Sequence, residues 1–334
     1  TTYKLGNGTE WVKPEKLPKK VVYSDYFELP FEISHSLDTY IKSVVSRPPH
    51  QDTIYWNVWR FIDGQFKITS KSSKWTETGR LVYGYTDDTT YIDPLGFQIR
   101  EVGVVGYIDL MIDKINADDT DTYNNRSGIN VMLVDNELMS FNKIEKLPNG
   151  DYIIKDVIRG VYDTIVEPHT AEAVVYFLWN VVDVNSGNRV NKKGTASIEH
   201  FNITTATVDR EMEFDNADIV TFHTTRRSEQ PSIMSDLQVA IDKNVFTEFR
   251  RKFNASMGGD VLFKFKQREK FKLNGIMAQD ETNYRGQDIT ASDTMRNVLR
   301  IYSGDKVVEK MSIAKDVTEI KYKWSDYCLD FNTP

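Results

Sequence analysis

Arg159-Gly160 is the sharpest chemical feature of the sequence. A guanidinium carries a rigid planar fork of donors that matches a carboxylate or phosphate bidentately. Such an arginine could hold an anionic ligand. It could instead pair internally with a carboxylate such as Glu137 or Asp163 and fix a turn, with Gly160 supplying the dihedral angles. The internal pairing is the favoured reading, so Arg159 is expected to be structural.

The remaining reactive side chains are scattered. His169 stands three residues before Glu172, while His35, His50, His200 and His223 occur singly. No pair has the H-x-x-x-H spacing of a zinc site, and one cysteine, Cys328, cannot supplement them. That lone cysteine also excludes an intramolecular disulfide, and without a neighbouring histidine it makes a poor nucleophile. There is no G-x-S-x-G elbow. Gly6-Asn7-Gly8 is too short to cradle a phosphate and reads as a flexible terminus. Asp118, Asp119 and Asp121 suggest a calcium loop, but Tyr123 and a missing glycine break the EF-hand pattern. A glycosidase needs two acids roughly 5–10 Å apart. With 49 Asp and Glu residues some pair meets that distance by chance, so acid content does not point to catalysis. No enzyme activity, metal or cofactor is expected.

Tyr83, Tyr85, Trp56, Trp59 and Trp75 could form a stacking surface for carbohydrate. Alternating aromatics on strands more often fill a core, because burial is the usual fate of so much apolar area.

The elements that would position these residues are β-strands. A length of 334 residues suggests two or three domains, and 40% apolar residues with 17 Tyr, 17 Phe and 6 Trp provide material for packed cores. The net charge of −7 argues against a nucleic-acid partner. The local basic runs Arg226-Arg227, Arg250-Arg251-Lys252 and Lys264 to Lys270 read as solvated faces or strand edges. No run of 18 apolar residues occurs, so no span of a membrane by a helix is expected. The start at Thr1 and the end at Pro334 fit a processed protein or a piece of a longer one.

Residues 53–62 form an aromatic, β-branched run that breaks at Asp63-Gly64, a hairpin signal, and resumes over Phe66–Thr69. Arg80–Tyr85 is a further strand, and Asp118 to Asn125 is a loop. In the middle of the chain Gly128–Leu133 is a strand and Asp135-Asn136 a tight turn. Glu137–Lys146 is the return strand, Pro148-Asn149-Gly150 a turn, and Asp151–Ile158 a third strand. Val174–Leu178 is a continuous apolar run, as expected of a strand buried on both faces. Ile198–Val208 alternates, and a boundary is expected over residues 215–235. Beyond it, strands are expected at Leu237–Ile241, Val261–Lys266, Asn297–Tyr302, Lys306–Val308 and Glu319–Trp324, with a helical turn possible over Asn244–Arg251. This strand rhythm predicts a mainly β, multi-domain chain with minor α content, built from sandwich or barrel modules. The expected units are a β-rich region over 1–110, a β-rich domain over 111–215 and an immunoglobulin-like sandwich over 235–334.

The middle segment carries a resemblance. Glu137-Leu138-Met139-Ser140-Phe141, Asn149-Gly150-Asp151-Tyr152, Val157-Ile158-Arg159-Gly160-Val161-Tyr162-Asp163-Thr164 and Pro168-His169 follow in order at short spacings. The series resembles a segment of the tail-tip hub and attachment proteins of lambda-like bacteriophages and gene transfer agents. Gly259-Asp260 leading to Phe265, then Gln267 to Lys270, Arg300-Ile301-Tyr302 and Tyr322-Lys323-Trp324, are similar to strands of that family's fibronectin type III-like domain. The family often has tryptophan where this chain has Phe265. Only one branch of it has the Asp163-Thr164 pattern, and His169 lacks the glycine often seen nearby.

The resemblance implies a structural component of a virion tail tip, assembled in the host cytoplasm around the tail axis, commonly as a trimer. The implied partners are other copies of the chain, tail-tube, baseplate and fibre proteins, and a host surface receptor. It implies structural roles for Glu137, Phe141, Arg159, Gly160, Asp163, Thr164, His169 and Phe265. The alternative functions are a carbohydrate-binding surface protein, which predicts two or three exposed aromatics on one sheet face, and a glycoside hydrolase, which predicts a groove with facing carboxylates.

Overall fold

The computed structural model describes residues 16–48, 52–85, 96–102, 106–115, 130–164, 166–178, 188–229 and 317–322. It also describes strands at 2–4, 10–12, 92–93, 235–241, 247–248, 261–266, 283–284, 287–288, 297–303 and 306–313. The protein is mainly β, with 51% strand and 9% helix distributed over several sheets.

A nine-stranded antiparallel sheet forms the centre. Its order is Lys143–Lys146, Tyr152–Lys155, Phe97–Glu101, Thr78–Leu81, Val174–Phe177, Val131–Val134, Glu137–Ser140, Val157–Ile158, Ile92–Asp93. Every side chain of Val131–Val134 is buried. Successive side chains of a strand point to opposite faces, so a strand buried throughout must be covered on both. Val131 and Leu133 enter one core with Leu138, Ile158, Tyr176 and Leu178. Met132 and Val134 enter the other with Phe97, Phe141, Ile144 and Phe177.

A three-stranded sheet, Asn188–Asn191, Thr39–Val45 and Ser24–Glu28, covers the first face. Alternation along Ser24–Glu28 explains how it can serve two layers. Phe27 packs toward the nine-stranded sheet, while Tyr26 turns the other way and stacks on Phe201 at 4.7 Å between centroids. Phe201 belongs to a four-stranded sheet, Ile219–His223, Ile198–Ala206, Tyr55–Ile62 and Gln65–Ser72, whose inner face also contributes Trp56, Val58 and Ile203. The helix Tyr107–Ile115 lies on the second face of the large sheet through buried Ile108 and half-buried Ile112, one turn apart, while Leu110 faces solvent. Neither this helix nor the single turn Phe31–Ser34 was expected from the strand pattern.

Local turn chemistry accounts for the connections. Asp63 and Gly64 both take positive φ, 53° and 80°, as a primed hairpin turn requires. Asp135 does the same at 51° between Val131–Val134 and Glu137–Ser140. At Pro148-Asn149-Gly150 the chain reverses with Gly150 at φ 90°, and the Gly150 amide donates to the Leu147 carbonyl.

Several expected boundaries change. The single return strand over 137–146 is two strands. The chain leaves one neighbour at Phe141, whose amide donates to the Asn130 carbonyl, and joins another at Asn142, whose amide donates to Lys155. The strand over 151–158 is likewise split at Asp156, which sits at φ 52°. Within the stretch 244–251, where a helical turn was an option, Thr247–Glu248 are extended and paired with Ser235–Ile241, and the other residues of that stretch lie outside the described ones. The division at 110–111 falls inside one sheet: Thr78–Leu81 pairs with Val174–Phe177, and Phe97–Glu101 with Tyr152–Lys155. Sheet pairing thus joins the first two expected units. Beyond 235, the described strands pair only with one another, in one sheet of four strands and two hairpins. Within them, strands Val261–Lys266 and Glu319–Tyr322 occupy expected positions, and Lys306–Ile313 runs longer than expected.

Candidate functional site

The densest polar arrangement among the described residues is built around Glu137, the first residue of its strand. Arg159 follows the strand Val157–Ile158, which lies beside Glu137–Ser140 in the sheet. Its Nε donates to Glu137 Oε1 at 3.0 Å and its Nη2 to Oε2 at 2.6 Å. Both side chains have no exposed surface. A charge pair taken so completely out of water persists only with good geometry and further hydrogen bonds.

Those further bonds are present. The Gly160 amide donates to Glu137 Oε1 at 2.9 Å, and the Glu167 amide to Oε2 at 3.0 Å. Gly160 reaches this position with φ 62°, entering the 3-10 turn Val161–Asp163. Thr164 closes that turn: its hydroxyl lies 3.0 Å from the Val161 carbonyl and accepts the Leu138 amide at 3.0 Å. Arg159 Nη2 also donates to the Glu167 carbonyl. The faces of the guanidinium are covered by Tyr85, at 5.0 Å from the ring centroid, and Phe97, at 5.8 Å.

His169 completes the cluster. Its Nε2 lies 2.9 Å from Glu137 Oε2 and its Nδ1 2.7 Å from Asp135 Oδ2. Its backbone is fixed by reciprocal hydrogen bonds with Tyr85, both 2.6 Å. Burial alone would push the Glu137 carboxyl up. The hydrogen bonds from His169 and Arg159, the arginine charge and the Glu167 amide outweigh it, and the group is held below its ordinary value. Glu137 is therefore an ionised carboxylate, the hub of the network.

Chemically this arrangement is closed. The imidazole stands between the carboxylates of Asp135 and Glu137, so the three groups diverge and cannot converge on one cation. Among the described residues no group of three or more His, Cys, Asp or Glu side chains is placed to hold a metal. Arg159 commits its fork to Glu137, which selects the internal pairing over an exposed anion site. Of these side chains only Asp135 reaches solvent, with half of its side-chain surface exposed.

The residues singled out in sequence are thus partly gathered. Glu137, Arg159, Gly160, Thr164 and His169 meet in one cluster, with Asp163 in the turn that supports it. Phe141 lies in the apolar core that Phe97 shares, edge-on to Phe177 at 5.8 Å. Phe265 is buried in the C-terminal four-stranded sheet and is not part of the cluster. Asp135, Tyr85 and Phe97 were not expected as members. Asp135 carried a turn signal, and nothing local marks the other two.

The other candidates disperse. Trp56 is core, Tyr83 is 68% exposed, and Tyr85 covers Arg159, so the five aromatics share no stacking face. Arg227 turns back to donate to the Tyr162 carbonyl at 2.9 Å. His200 pairs with Thr221, and His223 is exposed. His50, Asp118, Asp119, Asp121, Arg250 to Lys252, Gln267 to Lys270, Gly6 to Gly8 and Cys328 lie outside the described residues. Among the described residues no helix is long and apolar enough to cross a membrane. The sequence matches no family model and no curated protein.

Proposed function

We propose that the chain is a structural component of a bacteriophage tail tip, a hub that assembles around the tail axis and supports fibres or host attachment. One observation carries the proposal. The residues of the motif series that resembles tail hubs, Glu137, Arg159, Gly160, Thr164 and His169, form a single sealed cluster with no face left for a substrate. A motif committed to holding strands and turns together is what a scaffold needs, and the chain is read as non-enzymatic on that ground. Its proposed partners are copies of itself, in a trimer, and the tail-tube, baseplate and fibre proteins; its proposed location is the virion tail tip. The C-terminal unit is proposed to be fibronectin type III-like, with Phe265 in its core.

The test is the oligomeric state of the purified chain by light scattering, followed by imaging of the particle that contains it. A symmetric ring in contact with tail-tube or fibre proteins supports the hub. A stable monomer with measurable glycan affinity overturns it.

A carbohydrate-binding role is the second reading, favoured by the outer face of the four-stranded sheet. There Phe61, 43% exposed, packs on Phe66 at 5.2 Å, and Phe66 and Trp59 both pack on Phe214. Glycan-array binding that is lost in Phe61→Ala would favour this reading over the hub.

A further inference from the structure

A separate polar cleft of about 100 Å³ opens where the end of the strand Thr39–Val45 approaches Thr78–Leu81 and the start of the helix Tyr107–Ile115. Its cation is Arg47. The guanidinium lies 5.7 Å from the ring centroid of Trp75 and 5.1 Å from that of Tyr107, and its Nη1 donates to the Tyr107 hydroxyl at 2.7 Å. Held on two rings and one hydroxyl, the fork has little freedom, so a ligand would meet it preorganised.

Two donors of this cleft are unused. Arg47 Nε and Trp75 Nε1 are both buried and have no hydrogen-bond partner among the described residues. Buried N–H groups without an acceptor are costly and uncommon, and both of these belong to side chains that line the cleft. Glu101 also lines the cleft, but it is committed. Its Oε2 accepts the Gly106 amide at 2.7 Å and its Oε1 the Ile108 amide at 2.8 Å, at the start of the helix. Glu77 lines the cleft as well, and its negative charge disfavours a multiply charged anion such as phosphate. A singly charged planar acceptor fits both the donors and the space.

We infer that this cleft binds a carboxylate group, with Arg47 Nε and the Trp75 indole N–H donating to its oxygens. The carboxylate is either that of a small organic acid or that of an acidic side chain on a partner protein. The site is independent of the hub reading.

The test follows the indole N–H resonance of Trp75, assigned with Trp75→Phe, by NMR of the intact chain. The probes are acetate, acetamide, and a blocked peptide containing one glutamate. A saturable shift with acetate supports the site and assigns a small acid, and a shift with the peptide alone supports it and assigns a partner side chain. Arg47→Gln should weaken the response at least tenfold, the loss expected for about 1.4 kcal/mol of charge-assisted bonding. Arg47→Lys, which keeps the charge and loses the fork, should fall between, and guards against misfolding of the first variant. No shift with either acid, an equal shift with neutral acetamide, or a shift undiminished in both variants would overturn the inference.

Discussion

Arg159 and Glu137 meet through two parallel hydrogen bonds, 3.0 and 2.6 Å, with neither side chain exposed. Removing one partner leaves the other as an uncompensated buried charge. Arg159→Met is therefore expected to cost about 3–5 kcal/mol, read as a lower urea midpoint at unchanged slope. Arg159→Lys keeps the charge but not the fork and should also destabilise. Replacing both partners by apolar residues is often harmless for a simple buried pair. Here Glu137 also accepts the Gly160 and Glu167 amides, so Glu137→Leu with Arg159→Met should not recover stability. Recovery in the double variant would mean the two amides find other acceptors.

The same carboxylate predicts a pH dependence. Glu137 is held below the ordinary glutamate value of 4.5 in the folded protein. A carboxyl depressed on folding stabilises fully above its unfolded value, and the contribution disappears as pH falls through the folded value. The stability gap between the protein and Glu137→Gln should be widest above pH 4.5 and should narrow as the medium is acidified below it. Asp109 and Glu145, both well exposed, and the buried Asp151 are also lowered by their partners, but these three contribute to both proteins alike. A gap that stayed constant down to strong acid would show that Glu137 is not the titrating group.

What was legible in the sequence was what short-range chemistry decides. Asp63-Gly64 announces its hairpin because two adjacent residues must adopt positive φ, whatever the rest of the chain does. The Glu137 partnership of Arg159 was legible only as one of two options, since spacing does not show which carboxylate a fold brings near. Tyr85 and Phe97 lie far from Arg159 along the chain, and sheet pairing alone brings them over the guanidinium. The break at Phe141-Asn142 was hidden for the same reason: its cause is a change of neighbour, from Asn130 to Lys155, and not a residue that resists extension. The helix Tyr107–Ile115 did carry a signal, since Ile108, Met111, Ile112 and Ile115 fall at the i, i+3, i+4 and i+7 spacing of one helical face, but over a stretch of only nine residues set among strands.

Two glycines with similar backbone angles separate conformational cost from steric cost. Gly64 sits at φ +80° with open space where a Cβ would be placed. Gly96, at φ +76°, would put a Cβ 1.7 Å from the Ile154 carbonyl oxygen, within the paired strands of the central sheet. Gly64→Ala should therefore cost about 1 kcal/mol, from left-handed geometry alone. Gly96→Ala should cost about 3 kcal/mol or more, because backbone must move. Thermal unfolding of the two variants side by side reads the difference, and equal losses would indicate that the strands separate easily at Ile154.

Glu28 links the beginning of the chain to residues near 225 and tests whether the layers act as one unit. Its side chain is buried and accepts the Thr225 amide at 2.7 Å, the Thr225 hydroxyl at 3.0 Å and the Arg227 amide at 2.5 Å. Glu28→Ala deprives both amides of their acceptor, an expected loss of about 1–3 kcal/mol. The local consequence is sharper than the global one. Hydrogen exchange at Thr225 and Arg227 should accelerate strongly, while exchange in Val131–Val134, enclosed on both faces of the large sheet, should follow only the change in overall stability. If acceleration spread equally through both segments, the outer and central layers would open together, and the carboxylate would be a contact within a single cooperative unit.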